Sequence, residues 1–450
     1  MSGFAALVAL ADRAERANAS VPLLRVQGSV SGVDSSGIAV AGLSRFVRLG
    51  GLITIDADDG PLLAEVIRLD RNEIGARPFE SGAKIRLGAP AAPAGQLRIW
   101  PAQSWRSRLI NALGRALDGK GELETGKTPL AISRKPPEAL AREPVKQSIV
   151  TGVRVVDLFT PLCLGQRVGI FAGSGVGKST LLTMLARAQG FKTVVIALVG
   201  ERGREVRDLF EAMPQEVAQK AVVVVSTGDE SAMLRRLAPL TAMGLAEYFR
   251  DLGDDVLLIM DSVTRYAHAC RDVAMAAGEP PVARGFPPGV FSDLPRLLER
   301  AGPGHNGTGS ITGVFSVLVD GDDHNDPIAD AIRGMLDGHI VLDRSIAEGG
   351  RYPAVDIPAS LSRLADRAWS ADQRRMVLDL RRLVSRYEDS RDLRSLGGYR
   401  AGADEELDRA LIVVPRLYKL VSQRLEDSAA RDVYREAAEC LRVERGAIVV

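Results

Sequence analysis

The segment that most constrains this chain is Ala172-Gly173-Ser174-Gly175-Val176-Gly177-Lys178-Ser179-Thr180, which follows an apolar run at 167–172 and opens a helix-forming stretch at 180–185. A strand, a glycine-rich turn and a helix in that order make a phosphate-binding loop. Glycines let successive backbone N–H groups wrap phosphate oxygens, and the helix N-terminus adds its positive end. Gly173, Ser174, Gly175, Val176 and Gly177 form the cradle, Lys178 can reach the β- and γ-phosphates, and Ser179, followed by Thr180, can ligate Mg²⁺. The strict pattern has glycine where Ala172 stands, a position that ends the strand and accepts a methyl group.

Binding alone does not cleave a phosphoanhydride; a metal-side carboxylate and a group that orients water are also needed. The apolar run 256–260 ends in Asp261, and the run 193–199 leads into Gly200-Glu201-Arg202-Gly203-Arg204-Glu205. Strands of a parallel sheet deliver such residues to one carboxyl edge, where phosphates bind. Asp261 is the candidate metal-side acid and Glu201 the candidate for polarising the attacking water. A helix cap for Asp261 and a surface ion pair for Glu201 are the structural alternatives.

The rest of the chain divides by texture. Phe4, Leu7, Val8 and Ala11 recur at helical spacing, so residues 1–18 can form an amphipathic leader helix, either packed on its own domain or offered to a partner. Short strand-like runs at 23–28, 37–41, 46–55, 62–69 and 84–87, separated by Asp/Gly/Pro turns, suggest a small β-barrel or sandwich. From about 96 to 364, strands (167–172, 193–199, 221–225, 256–260, 311–319) alternate with helical stretches, the pattern of an α/β domain with a largely parallel sheet. The proline-bearing stretch 128–144 reads as an extended connection. Beyond Leu364, charged residues at helical spacing suggest a solvated helical domain.

Composition narrows the function. With 58 Lys plus Arg against 57 Asp plus Glu, no global field recruits nucleic acid or an anionic membrane. No apolar run approaches the roughly 18 residues of a membrane span, and the N-terminus lacks the layout of a secretory signal, so the chain reads as cytoplasmic. Three cysteines and four histidines, widely spaced, argue against a disulfide scaffold and a zinc site.

Beyond these features, Gly165-Gln166-Arg167-Val168-Gly169, the phosphate loop, Gly200-Glu201-Arg202-Gly203-Arg204-Glu205-Val206 and Asp261-Ser262-Val263-Thr264-Arg265 together resemble the ATPase of flagellar and type III protein export, a relative of the rotary ATP synthase catalytic subunit. The runs 284–291, 294–302, 321–327 and 337–342 extend the likeness. The resemblance implies an α/β protein with a RecA-like central ATPase domain (96–364), an N-terminal β-barrel (19–95) after the leader, and a C-terminal helical domain (365–450). It implies ATP and Mg²⁺ as ligands and a homohexamer. It places Tyr352 where an aromatic ring stacks on adenine and Arg363 where an arginine finger reaches a neighbour's γ-phosphate. It also places Arg202 beside the water-polarising glutamate, where it could position phosphate. Implied partners are a stalk-like regulatory dimer at the N-terminal helix, a coiled-coil central stalk, the export gate, chaperones and export substrates, with the ATPase peripheral to a membrane apparatus.

This one sequence holds the loop, Glu201, Asp261 and the candidate finger, so identical subunits could build complete sites at every interface. Gly203 and Ser262-Val263-Thr264 depart from the rotary catalytic pattern and match the export branch. The expected function is therefore ATP hydrolysis energising flagellar protein export. The alternatives are an injectisome ATPase, a RecA-like nucleic-acid motor, which the balanced charge disfavours, and a non-catalytic ring subunit, which Lys178 and Glu201 disfavour.

Overall fold

The computed structural model describes residues 26–442 except 139, 141, 146, 306, 320–325 and 428–431. The expected leader helix over 1–18, the first half of the expected strand 23–28 and the stretch 321–325 lie outside the described residues. The chain divides into two compact units that meet at Leu97/Arg98.

The first unit is a closed barrel of β1 (Gly28–Val33), β2 (Ile38–Ala41), β3 (Leu52–Ala57), β4 (Gly60–Leu69), β5 (Glu73–Pro78) and β6 (Pro90–Gly95). The strands run β1-β2-β5-β4-β3-β6, and β6 returns to β1. Alternation places Val40, Ile53, Ile55, Ala64, Val66, Ile74 and Ala76 inside. The expected strand 46–55 starts late, at Leu52, because Phe46 to Gly51 form turns that leave Phe46 exposed. The expected strand 84–87 is irregular, and Pro90–Gly95 closes the barrel instead. That segment is not among the expected strands, and its two prolines donate nothing to a ladder; pairing on both sides overrides local preference.

The second unit is built on β7 (Arg108–Asn111), β8 (Arg167–Ala172), β9 (Thr193–Glu201), β10 (Ala221–Thr227), β11 (Val256–Asp261), β12 (Ser310–Leu318), β13 (Gly338–Leu342) and β14 (Val355–Ser362). Their order is β14-β13-β8-β12-β11-β9-β10-β7. All neighbours are parallel except the edge pair β13/β14, and the short strand Gly302–Pro303 pairs antiparallel with β12. The runs at β9 and β11 are buried along their whole length, as expected of parallel strands covered on both faces. The helix Ala232–Asp251 lies over β9 and β10. The helices Ala371–Asp389, Glu405–Val421 and Val433–Leu441 put Leu380, Leu383, Val413, Leu417 and Ala437 into the same apolar core as β8 and β9.

The interior of this unit holds a buried ion pair. Arg300 and Glu247, each 2 % exposed, meet through two hydrogen bonds of 2.9 and 3.0 Å. Removing Arg300 leaves Glu247 in a low-dielectric interior with only Arg134, at 3.6 Å, to balance its charge. Arg300→Met should therefore cost about 3–5 kcal/mol, measured by chemical denaturation, while the distant phosphate loop keeps its shape.

Candidate active site

The phosphate loop leaves the carboxyl end of β8 and enters the helix Lys178–Ala186. Gly177 caps that helix in the left-handed region, with φ of 93°, a conformation that a residue with a Cβ adopts only under strain. Ser174, Gly175, Ser179 and Thr180 are exposed, and Val176 is buried beneath the turn. The exposed helix N-terminus is the anion-binding arrangement that the sequence predicts.

Two strands away, Asp261 ends β11 and is 3 % exposed. Its Oδ1 accepts from Lys178 Nζ at 2.5 Å and from Ser316 Oγ at 2.9 Å. Asp261 is thus neither a helix cap nor a surface acid; Ser262 caps the following helix Val263–Ala276. The loop lysine and the β11 carboxylate form one charge centre.

Glu201 arrives from the adjacent strand. Leu198 pairs with Asp261, so Glu201 extends three residues beyond that level. The ladder to β10 is irregular between Val199 and Glu201, and Gly200 there has φ of 68°. A Cβ at Gly200 would stand 2.9 Å from Arg265 Cδ, so glycine permits both the turn and the approach of that arginine. Arg265 Nη1 donates to the Gly200 carbonyl at 2.6 Å, and its Nε lies 3.3 Å from Glu201 Oε1. That separation is an ion pair outside hydrogen-bond geometry, and Oε1 has no hydrogen-bond partner in the chain.

Burial is the first cause that raises the Glu201 carboxyl to about 7; a hydrogen bond with Glu205 and the charge of Asp261 add to it. Lys178 and Arg265 oppose the rise. A carboxyl that ionises near neutrality is matched to proton acceptance. Arg265 lies within the run 261–265, but no spacing rule singles it out; only the fold shows that it holds both the Gly200 turn and the Glu201 charge.

Tyr352 comes to the loop from the other side. A Cβ at Gly177 would stand 3.3 Å from Tyr352 Cδ1, so the ring packs against the loop while 44 % of the residue stays exposed. Arg202 and Arg363 are placed elsewhere. The Arg202 side chain is 85 % exposed at the start of the helix Gly203–Ala212, with Glu205 at 4.0 Å as its ion-pair partner. Arg363 follows β14, and its N–H donates to Asp337 O, while Asp337 N–H donates to Arg167 O. Arg167 is the first residue of β8, whereas the loop leaves its last. Arg363 is therefore on the opposite edge of the sheet from the loop of its own chain, roughly 17 Å along the strand direction.

The donor set fits a hard divalent cation. Ser179 and Asp261 offer oxygen, as Mg²⁺ prefers, with substrate phosphates supplying further ligands. Among the described residues, no group of three or more His, Cys, Asp or Glu could hold a metal by itself.

Residues 152–362 match the ATP synthase alpha/beta family, nucleotide-binding domain, and residues 369–437 match the T3SS EscN ATPase C-terminal domain. The flagellum-specific ATP synthase of Agrobacterium fabrum is 54% identical over 415 residues, 92% of this chain and 88% of that one. The chain belongs to the flagellar and type III export ATPases. Another member, the flagellum-specific ATP synthase of Salmonella typhimurium, is 39% identical over 436 residues, 93% of this chain and 94% of its own. Among solved structures of this family, the assembled EscN ATPase of the enteropathogenic E. coli type III secretion system superposes with a TM-score of 0.86 at 38% identity, covering 92% of this chain and 100% of that one. EscN in complex with its central stalk EscO gives 0.83 at 38% identity, covering 92% and 98%.

The Glu201 environment sets a pH dependence. Its raised carboxyl keeps the proton up to about pH 7 and ionises above it, so kcat/KM for ATP hydrolysis should fall as pH drops through that value. Arg265→Met removes a charge that favours the ionised form and should move this fall to higher pH. A profile of phosphate release between about pH 5.5 and 9 checks both; an unmoved acid limb in the variant would separate Arg265 from Glu201.

Proposed function

We propose that this export ATPase cleaves the terminal phosphoanhydride of ATP with Glu201 as the group that activates water. The observation that carries this reading is Glu201 Oε1, which accepts no hydrogen bond from the chain and lies beside the Lys178–Asp261 centre, just after the turn at Gly200. Backbone N–H groups of 173–178 hold the β- and γ-phosphates, and Lys178 balances the charge that develops between them. Glu201 Oε1 accepts a hydrogen bond from water placed in line with the γ-phosphorus. As the water oxygen bonds to phosphorus, the bond to the β–γ bridging oxygen breaks, ADP leaves, and the water's proton passes to Glu201 or to the departing phosphate. Ser179 and Asp261 would hold Mg²⁺, which supplies charge neutralisation to the phosphates. Tyr352 stacks on the adenine ring.

In this reading Arg363 completes the site of a second copy. A side chain at the amino edge of the sheet cannot reach a loop at the carboxyl edge of its own chain, but it can face a neighbour's loop in a ring. The EscN relative is described as an assembled ATPase, which supports a homo-oligomer here, and its complex with EscO supports a central stalk partner for this chain. Arg202, in solvent within one chain, would act at the same interface on the phosphate. We further assign the protein to the cytoplasmic face of a flagellar export apparatus, with the regulatory dimer, chaperones, substrates and export gate as partners. No helix among the described residues is long and apolar enough to cross a membrane.

Two substitutions separate binding from chemistry. Glu201→Gln should lower kcat by roughly 10²–10⁴-fold while a fluorescent ATP analogue still binds. Lys178→Ala should weaken that binding as well as turnover. Retention of substantial hydrolysis by Glu201→Gln would remove Glu201 from its role.

A further inference from the structure

The backbone of Tyr352 is bonded to the segment that follows the C-terminal helix Glu405–Val421. Gln423, two residues beyond the helix Glu405–Val421, is 5 % exposed and makes three hydrogen bonds to two separate segments. Its backbone N–H donates to the Tyr352 carbonyl at 2.7 Å. Its Oε1 accepts from the N–H of Arg154 at 3.0 Å, and its Nε2 donates to the carbonyl of Gly152 at 2.9 Å. Arg154 is the first residue of the helix Arg154–Phe159, whose N-cap residue Val153 supplies no side-chain acceptor. Gln423 therefore satisfies an otherwise orphaned helix donor from outside that helix. With both side-chain bonds made, its main chain has no freedom to drift, and that main chain holds Tyr352.

The preceding residue is clamped by the same helix. The Arg351 guanidinium lies 3.9 Å from the centre of the Tyr418 ring, and Arg154 Nη1 donates to Leu420 O at 3.1 Å. Residues 351 and 352 are thus held by one helix end, and that end is docked on 152–154 by Gln423.

We infer that Gln423 is a positioning residue for the nucleotide, fixing the Tyr352 ring over the phosphate loop and so making base affinity depend on the docked C-terminal helix. This rests on Tyr352 stacking on the base, and it extends that reading: a ligand or partner that shifts the helix Glu405–Val421 changes nucleotide affinity through Gln423 without touching the loop.

The test is steady-state ATP hydrolysis by the full-length chain, comparing wild type, Gln423→Ala, Tyr352→Ala and the double variant. Gln423→Ala should raise KM roughly tenfold, the scale of one aromatic stacking contact, with kcat within about twofold of wild type because the loop, Lys178 and Glu201 are untouched. The double variant should be no worse than Tyr352→Ala alone, since Gln423 acts through that ring. Gln423→Glu keeps the acceptor for Arg154 and loses the donor to Gly152; it should give an intermediate KM, and it serves if Gln423→Ala does not fold. An unchanged KM in the Gln423 variants, while Tyr352→Ala raises it, overturns the positioning role. Full multiplication of the two single effects overturns it equally, because Gln423 would then act independently of the ring. An unchanged KM in Tyr352→Ala contradicts base stacking itself, a different failure.

Discussion

The site depends on one charge pair across two strands. Lys178 and Asp261 meet at 2.5 Å because β8 and β11, separated only by β12, run parallel and end at the same edge of the sheet. Neither side chain is more than 12 % exposed. Taking both charges out of water is costly, and such a pair adds little net stability over apolar replacements. Its value is placement: a cation already beside the loop and an anion already where a divalent metal would bridge to phosphate. Parallelism also brings Glu201 to that edge, since β9 adjoins β11 and the irregularity at Gly200 turns the chain toward the centre.

Much of this was legible before any coordinates. The loop, the two carboxylates and the strands that carry them follow from glycine spacing and from apolar runs that end in acids, signals contained in contiguous residues. What was not legible lies in pairings distant in sequence. Pro90–Gly95 joins the barrel against its local preference, because both neighbouring strands supply partners. Arg108–Asn111 is the edge strand of the large sheet although it is short and bears a basic residue. Arg265 reads as one more arginine in a helix until the fold brings it to Gly200 and Glu201. Gln423 has no motif at all, and its three bonds reach residues more than 70 positions away.

The two edges of the sheet define how the molecule works. The phosphate loop, Glu201 and Asp261 are at the carboxyl edge, while the antiparallel return of β14 delivers Arg363 to the amino edge. In the proposed reading a single chain therefore carries all the parts of a site and is unable to bring them together. Association of like subunits resolves this, because the amino edge of one copy can be offered to the carboxyl edge of the next in a closed ring. The C-terminal helices share the core of this same unit, so a force applied to them has a short mechanical route to Tyr352, the ring proposed to stack on the base.

The division of the site between subunits is tested most directly by mixing two defective chains. Lys178→Ala has a broken loop and an intact Arg363; Arg363→Ala has the reverse. Each alone should release almost no phosphate. With free subunit exchange, an equimolar mixture places an intact loop against an intact arginine at roughly a quarter of interfaces, and phosphate release should recover to that order. A mixture that stays inactive, although exchange is demonstrated and the wild type hydrolyses ATP, would contradict a shared site and remove Arg363 from it.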